Sequence, residues 1–126
     1  MQKLTEARRR QREELLEQAR RYAANLQTLL ASLAVVVTGS VARGDFNLWS
    51  DLDLIVIADD LPPHPLDRSE LLYSVATGGV EPRGYTVAEF THLLERGVPW
   101  AKEIRDQGVV VTGDHVWDRV GRRPPR

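Results

Sequence analysis

The sequence predicts an α/β (α+β) fold, a mixed sheet of about four strands with flanking helices and one long helix at the N-terminal end. Three observations carry that expectation. From Lys3 to about Leu30 there is neither proline nor glycine, and apolar residues recur at helical spacing. Two short β-branched runs, Leu33–Thr38 and Asp53–Ala58, have the length of strands. Beyond them, helical and strand-like segments alternate up to Thr112.

The first helix is amphipathic: Leu15, Ala19, Tyr22, Leu26 and Leu29 recur in steps of four and three, and Glu17 and Arg21 stand i, i+4 on the opposite face. The run Leu33-Ala34-Val35-Val36-Val37-Thr38 is stopped by Gly39 and reads as a buried strand, as does Asp53-Leu54-Ile55-Val56-Ile57-Ala58. Unbroken apolar runs of this kind suit strands covered by helices on at least one face. Pro62, Pro63 and Pro65 make residues 61–65 a surface connection, because proline lacks the backbone donor that helix and central strand need. Leu66 to about Ala76 should be helical and is ended by Gly78-Gly79.

Val80–Tyr85 is expected to be a third strand, which Pro82 confines to an edge or an end of the sheet. Thr86, with Glu89 three positions on, has the form of a capping box and should start a helix over Val87–Leu94. A short helix over Pro99–Asp106 and a last strand over Val109–Thr112 complete the series. Residues 120–126 have nothing to bury and should fray; the length of 126 residues reads as a single domain over 1–126.

Composition narrows the function classes. The 126 residues are 42% hydrophobic, enough for one core, and the absence of cysteine excludes a disulfide framework, a thiolate zinc site and a cysteine nucleophile. That composition fits a cytoplasmic setting. No apolar run approaches the roughly 18 residues that span a bilayer, and the charged first residues read as helix rather than leader. With 17 basic and 18 acidic residues, overall charge calls for neither nucleic acid nor membrane. Arg8-Arg9-Arg10-Gln11-Arg12 is followed at once by Glu13, Glu14 and Glu17 and reads as a solvated helix face.

The chemistry is concentrated in Gly39-Ser40-Val41-Ala42-Arg43-Gly44-Asp45-Phe46-Asn47-Leu48-Trp49-Ser50-Asp51-Leu52-Asp53, between the first two strands. Side chains alternate along a strand, so Asp51 and Asp53 project to one face while Leu52 and Leu54 enter the core. Paired carboxylates can hold hard divalent cations such as magnesium, and a two-metal site clamps the attacking and leaving oxygens of a displacement at phosphorus. Gly39 allows close backbone approach, and Ser40 can cap a short helical turn whose free N–H groups face an anion; a triphosphate is the natural guest. Arg43 and Asn47 lie in the same loop and can touch phosphates or metal-bound water; Trp49 suits packing or a nucleotide contact equally.

A phosphate-binding P-loop is excluded although Gly39 and Gly44 have its spacing, because Asp45-Phe46 stands where it needs lysine and serine or threonine. His64, His92 and His115 share no metal-ligand spacing.

The arrangement strand, Gly-Ser, ten residues, Asp-x-Asp, strand resembles the signature of the polymerase-β nucleotidyltransferase superfamily, most closely its minimal nucleotidyltransferase branch, the MntA-like antitoxins; the similarity is strongest over Val35–Ile57. The resemblance implies the polymerase-β-like fold, triphosphate binding by Gly39 and Ser40, and metal binding by Asp51 and Asp53; Arg43 and Ser50, in the same segment, are further candidates for nucleotide binding. It also implies a third acid on a neighbouring strand that binds metal and takes the acceptor proton. Glu81 is the candidate, although the superfamily uses aspartate there, and Asp114 is next in line. The implied cofactors are two Mg2+ ions with ATP as substrate, and the implied partner is a small all-helical HEPN-type toxin that receives AMP on a tyrosine. Two other readings stand beside it. An aminoglycoside-type enzyme acting on a small molecule would need an acceptor domain, and a purely binding antitoxin would have no use for the intact Gly39, Ser40, Asp51 and Asp53.

Overall fold

The computed structural model describes residues 2–47 and 51–121. Its elements run α1 (Gln2–Leu26), β1 (Ala34–Val37), α2 (Gly39–Arg43), β2 (Leu52–Ile57), α3 (Pro65–Tyr73), β3 (Val80–Tyr85), α4 (Val87–Glu95), α5 (Pro99–Gln107), β4 (Val109–Thr112) and α6 (Asp114–Trp117). The four strands form one mixed sheet in the order β3-β2-β1-β4. Both neighbours of β1 run antiparallel to it, whereas β2 and β3 are parallel. Pro82 sits in an edge strand, where a missing ladder donor is tolerated.

Both faces of the sheet are covered, one more face than the apolar runs require. On one side α1, α2 and α3 bury Leu16, Tyr22, Leu26 and Val41 against Val35, Val37, Leu54 and Val56. On the other side α4, α5 and α6 bury Phe90, Leu94, Ala101, Ile104 and Val116 against Ala34, Val36, Ile55 and Ile57. Alternate residues of β1 and β2 therefore serve opposite layers.

Several local expectations need correcting. The first helix ends at Leu26, so Leu29 leaves the apolar stripe and is half exposed while Leu30 is buried. Glu17 pairs with Arg20, three residues on and shared with Glu13, rather than with Arg21. The third helix begins at Pro65 inside the proline segment and stops at Tyr73: proline is acceptable in a first helical turn, and His64 Nδ1 accepts the Leu66 N–H as the cap. The short helix α6 lacked enough periodicity to be foreseen.

The Thr86 capping box forms as expected: Glu89 N–H donates to Thr86 Oγ1 at 3.1 Å and Thr86 N–H to Glu89 Oε1 at 2.7 Å. Arg68 adds a 2.8 Å pair to the same carboxylate. Partial burial works to raise the Glu89 carboxyl, but these hydrogen bonds outweigh it and hold the group below its ordinary value. Among the described residues no helix is long and apolar enough to cross a membrane.

Candidate active site

The site is built where β1 ends and β2 begins. Thr38 N–H donates to Asp53 O at 3.0 Å, extending the β1–β2 ladder one step past Val37 and Leu54. The chain then turns at Gly39 with φ +67°, a left-handed value that suits glycine. The approach is also close: a Cβ at position 39 would stand 2.7 Å from Asp53 Oδ2 and push that carboxylate aside. The turn that opens α2 is therefore laid directly on the aspartate.

Ser40 is the second residue of α2 rather than its cap. Thr38 holds the cap position, without a side-chain bond to the helix, and Gly39 with its left-handed φ is the first helical residue. The far end of α2 is bolted to α1. Arg12 Nε donates to Val41 O at 3.1 Å and Arg12 Nη2 to Ala42 O at 3.4 Å. Arg8 Nη2 donates to Gly44 O at 3.0 Å and to Phe46 O at 2.7 Å, with its guanidinium 4.7 Å from the centre of the buried Phe46 ring. Two of the arginines read as a solvated face thus satisfy carbonyls that the short helix and its exit leave open.

Parallel pairing sets Glu81 directly opposite Asp53. The charge of Asp51 first, then desolvation and the charge of Asp53, raise the Glu81 carboxyl above its ordinary value. The structure brings Gly39, Asp51, Asp53 and Glu81 together, with Leu52 and Leu54 buried behind them. Asp114 opens α6 beyond Thr112, and the β1–β4 register sets Thr112 opposite Val35, away from the Val37 end where the carboxylates gather. Ser50 and Trp49 lie outside the described residues.

A cleft of about 200 Å3 opens beside the carboxylates, lined by Thr38, Gly39, Arg43, Asp53, Arg83, Trp100, Glu103 and Ile104. Arg43 bridges its mouth, donating to Asp45 at 3.3 Å and to Glu103 on α5 at 3.1 Å. Arg83, Trp100 and Glu103 escaped sequence reasoning. Arg83 had a usable signal: it stands two residues after Glu81 on a strand, so the alternation that pairs Asp51 with Asp53 pairs these two as well. Arg83 also lines a cavity of about 300 Å3 that wraps the edge strand between α3 and α4. The α5 residues carried no such signal.

The donor set at the carboxylate cluster consists of hard oxygens, the kind that divalent magnesium takes. Among the described residues no three acidic or histidine side chains already stand as a finished ligand cage. A cation held among these carboxylates would offset the mutual repulsion borne by Glu81.

A family model of the nucleotidyltransferase domain matches residues 16–113, which include the whole Gly39–Asp53 segment and Glu81. The chain belongs to the nucleotidyltransferase domain family. The fold agrees. A crystal structure of a candidate nucleotidyltransferase from Sulfolobus solfataricus superimposes with a TM-score of 0.62 at 19% identity, covering 82% of this chain and 84% of that one. A solved toxin-antitoxin structure with AMP-PNP aligns at a TM-score of 0.46 and 17% identity, over 75% of this chain and 73% of that one. No curated protein sequence matches this nucleotidyltransferase domain.

Proposed function

We propose that this nucleotidyltransferase transfers AMP from ATP to a hydroxyl presented by another protein, with Asp51, Asp53 and Glu81 as the catalytic carboxylates. The observation that carries the reading is the meeting of three carboxylates with a left-handed glycine turn laid close against Asp53. That pairing offers acceptors for cations beside a backbone that a phosphate can approach closely.

Asp51 and Asp53, with Glu81, would hold two magnesium ions, which when bound neutralise the charge that develops on the phosphoryl group. Gly39 and Ser40 contribute backbone at the triphosphate, and Arg43 and Ser50 complete its binding. The acceptor oxygen forms a bond to the α-phosphorus, the bond from that phosphorus to the β-phosphate oxygen breaks, and pyrophosphate leaves. The acceptor proton goes to Glu81, which stands opposite Asp53 on the neighbouring strand. Apart from that proton, the side chains act by position and field.

The edge of β3 is where an acceptor has room to arrive, since Arg83 belongs to the cleft and to the cavity beyond it. The minimal-branch resemblance makes that acceptor a tyrosine on a HEPN-type partner and the chain an antitoxin acting in the cytoplasm. Incubation with magnesium, each nucleoside triphosphate and the product of the adjacent gene, followed by intact-mass measurement, tests this. The expected result is a gain of one AMP on the partner that disappears with Asp53→Asn. Labelling of a small hydroxyl compound and of no protein would overturn the partner assignment.

A further inference from the structure

We infer that Trp100 is the platform on which the base of the bound nucleotide stacks. The inference rests on the proposed function, which places the triphosphate beside Gly39 and Asp53, and it assigns the other end of the same cleft. Trp100, on the first turn of α5, is the aromatic residue among the cleft's lining.

Its setting is that of a held ring with one free side. Tyr85 lies 5.9 Å away with the planes tilted by 40°, and Phe90 lies 6.4 Å away edge-on at 69°. Phe90 is fully buried, whereas Trp100 is 41% exposed. The cluster fixes the indole by its packed side and leaves the remainder uncovered, so little ordering is needed when a second flat ring arrives.

The rest of the lining favours a nucleobase there. Ile104 adds an apolar wall, and the Glu103 carboxylate is held at 3.1 Å by Arg43, which faces the triphosphate end. Phosphates are drawn to the carboxylate end once cations are held there. A purine, with two apolar faces, is the part of the nucleotide that gains from the indole. Stacking on an aromatic side chain accepts any base, so this contact supplies affinity for nucleosides over bare phosphates rather than a choice among bases.

Calorimetric titration in magnesium with two probes, ATP and inorganic tripolyphosphate, tests the assignment on the native protein, Trp100→Phe and Trp100→Ala. Trp100→Ala should weaken ATP binding about tenfold to a hundredfold and change tripolyphosphate binding less than about twofold, and Trp100→Phe should recover most of the loss. Should alanine unfold the aromatic cluster, Trp100→Leu keeps an apolar side chain against Tyr85 and Phe90 and should show the same selective loss. An unchanged ATP affinity, or an equal loss for both probes, would overturn the inference while leaving the proposed function in place. Native protein that binds neither probe would remove both.

Discussion

The two faces of the sheet are made from the same strands and end differently. On the α1 side Leu52, Leu54 and Val56 are buried along the whole of β2. On the α4–α5–α6 side Ile55 and Ile57 are buried, but the next residue outward on that face is Asp53, opposite Glu81. One strand is thus core at one end and chemistry at the other. At that end α5 borders a cleft shared with Gly39 and Asp53, and the polar groups gather along it. Fold and function can be separated along a single strand, a residue pair at a time.

That separation can be broken from either end. The largest effect is expected at Asp53. Asp53→Asn, or Asp51→Asn, should cut nucleotidyl transfer by about a thousandfold, the several kcal/mol of charge stabilisation that bound cations supply, with the melting temperature unchanged. Phe90→Ala on the same face should do the reverse in kind, costing about 3–5 kcal/mol of stability in urea denaturation through the cavity it leaves. Transfer at the native rate in both aspartate variants would remove the carboxylates from the reaction.

Glu81→Gln should lower turnover about a hundredfold while the ATP dissociation constant changes little, as expected for a group that takes a proton; single-turnover kinetics beside equilibrium binding separates the two. Gly39→Ala should lower transfer about tenfold to a hundredfold and cost about 1–2 kcal/mol, since the new Cβ adopts a left-handed backbone and displaces the Asp53 carboxylate. A Gly39→Ala protein with full activity would show that the close approach is incidental.

Arg8→Ala and Arg12→Ala should each cost about 1 kcal/mol and reduce turnover more than nucleotide affinity, because they loosen the segment leading to Asp51 without touching the cleft. Lysine at either position should restore only part of the effect, lacking the fork that serves two carbonyls. The smallest effect is at Glu89, on the structural side of the comparison. Its carboxyl is held below the ordinary value in the folded state, so its stabilisation is present above the unfolded value of about 4.3 and is lost as pH falls through the folded value. Relative to Glu89→Gln, the native protein should lose about half a kcal/mol between pH 7 and pH 3, the exposure of the Glu89 carboxylate keeping the figure small.

Spacing and alternation made the sheet, its edge strand, the capping box at Thr86 and the pairing of Asp51 with Asp53 legible before the structure, since each depends on residues close in sequence. Glu81 could be named but not placed, because its position opposite Asp53 depends on a parallel pairing across the α3 crossover. Trp100 and Glu103 belong to a helix whose own pattern says nothing of which strand end it overhangs. Leu29 misled because periodicity persists for a few residues after the helix itself has stopped at Leu26. The roles of Arg8 and Arg12 depend on contacts made 29 to 38 residues further along the chain, and a local charge count records only the neutralising glutamates.

The bridge that Arg43 makes to Asp45 and Glu103 has a consequence for ionic strength. A phosphate that reaches this guanidinium must compete with two carboxylates already there, so the binding reaction exchanges ion pairs instead of adding one. Added salt weakens both sides of the exchange, because all three groups are exposed and screening at about 0.1 M acts over roughly 10 Å. The affinity for a triphosphate should therefore fall less steeply with salt than the number of cationic contacts implies, and Glu103→Gln should steepen that dependence while raising affinity at low salt.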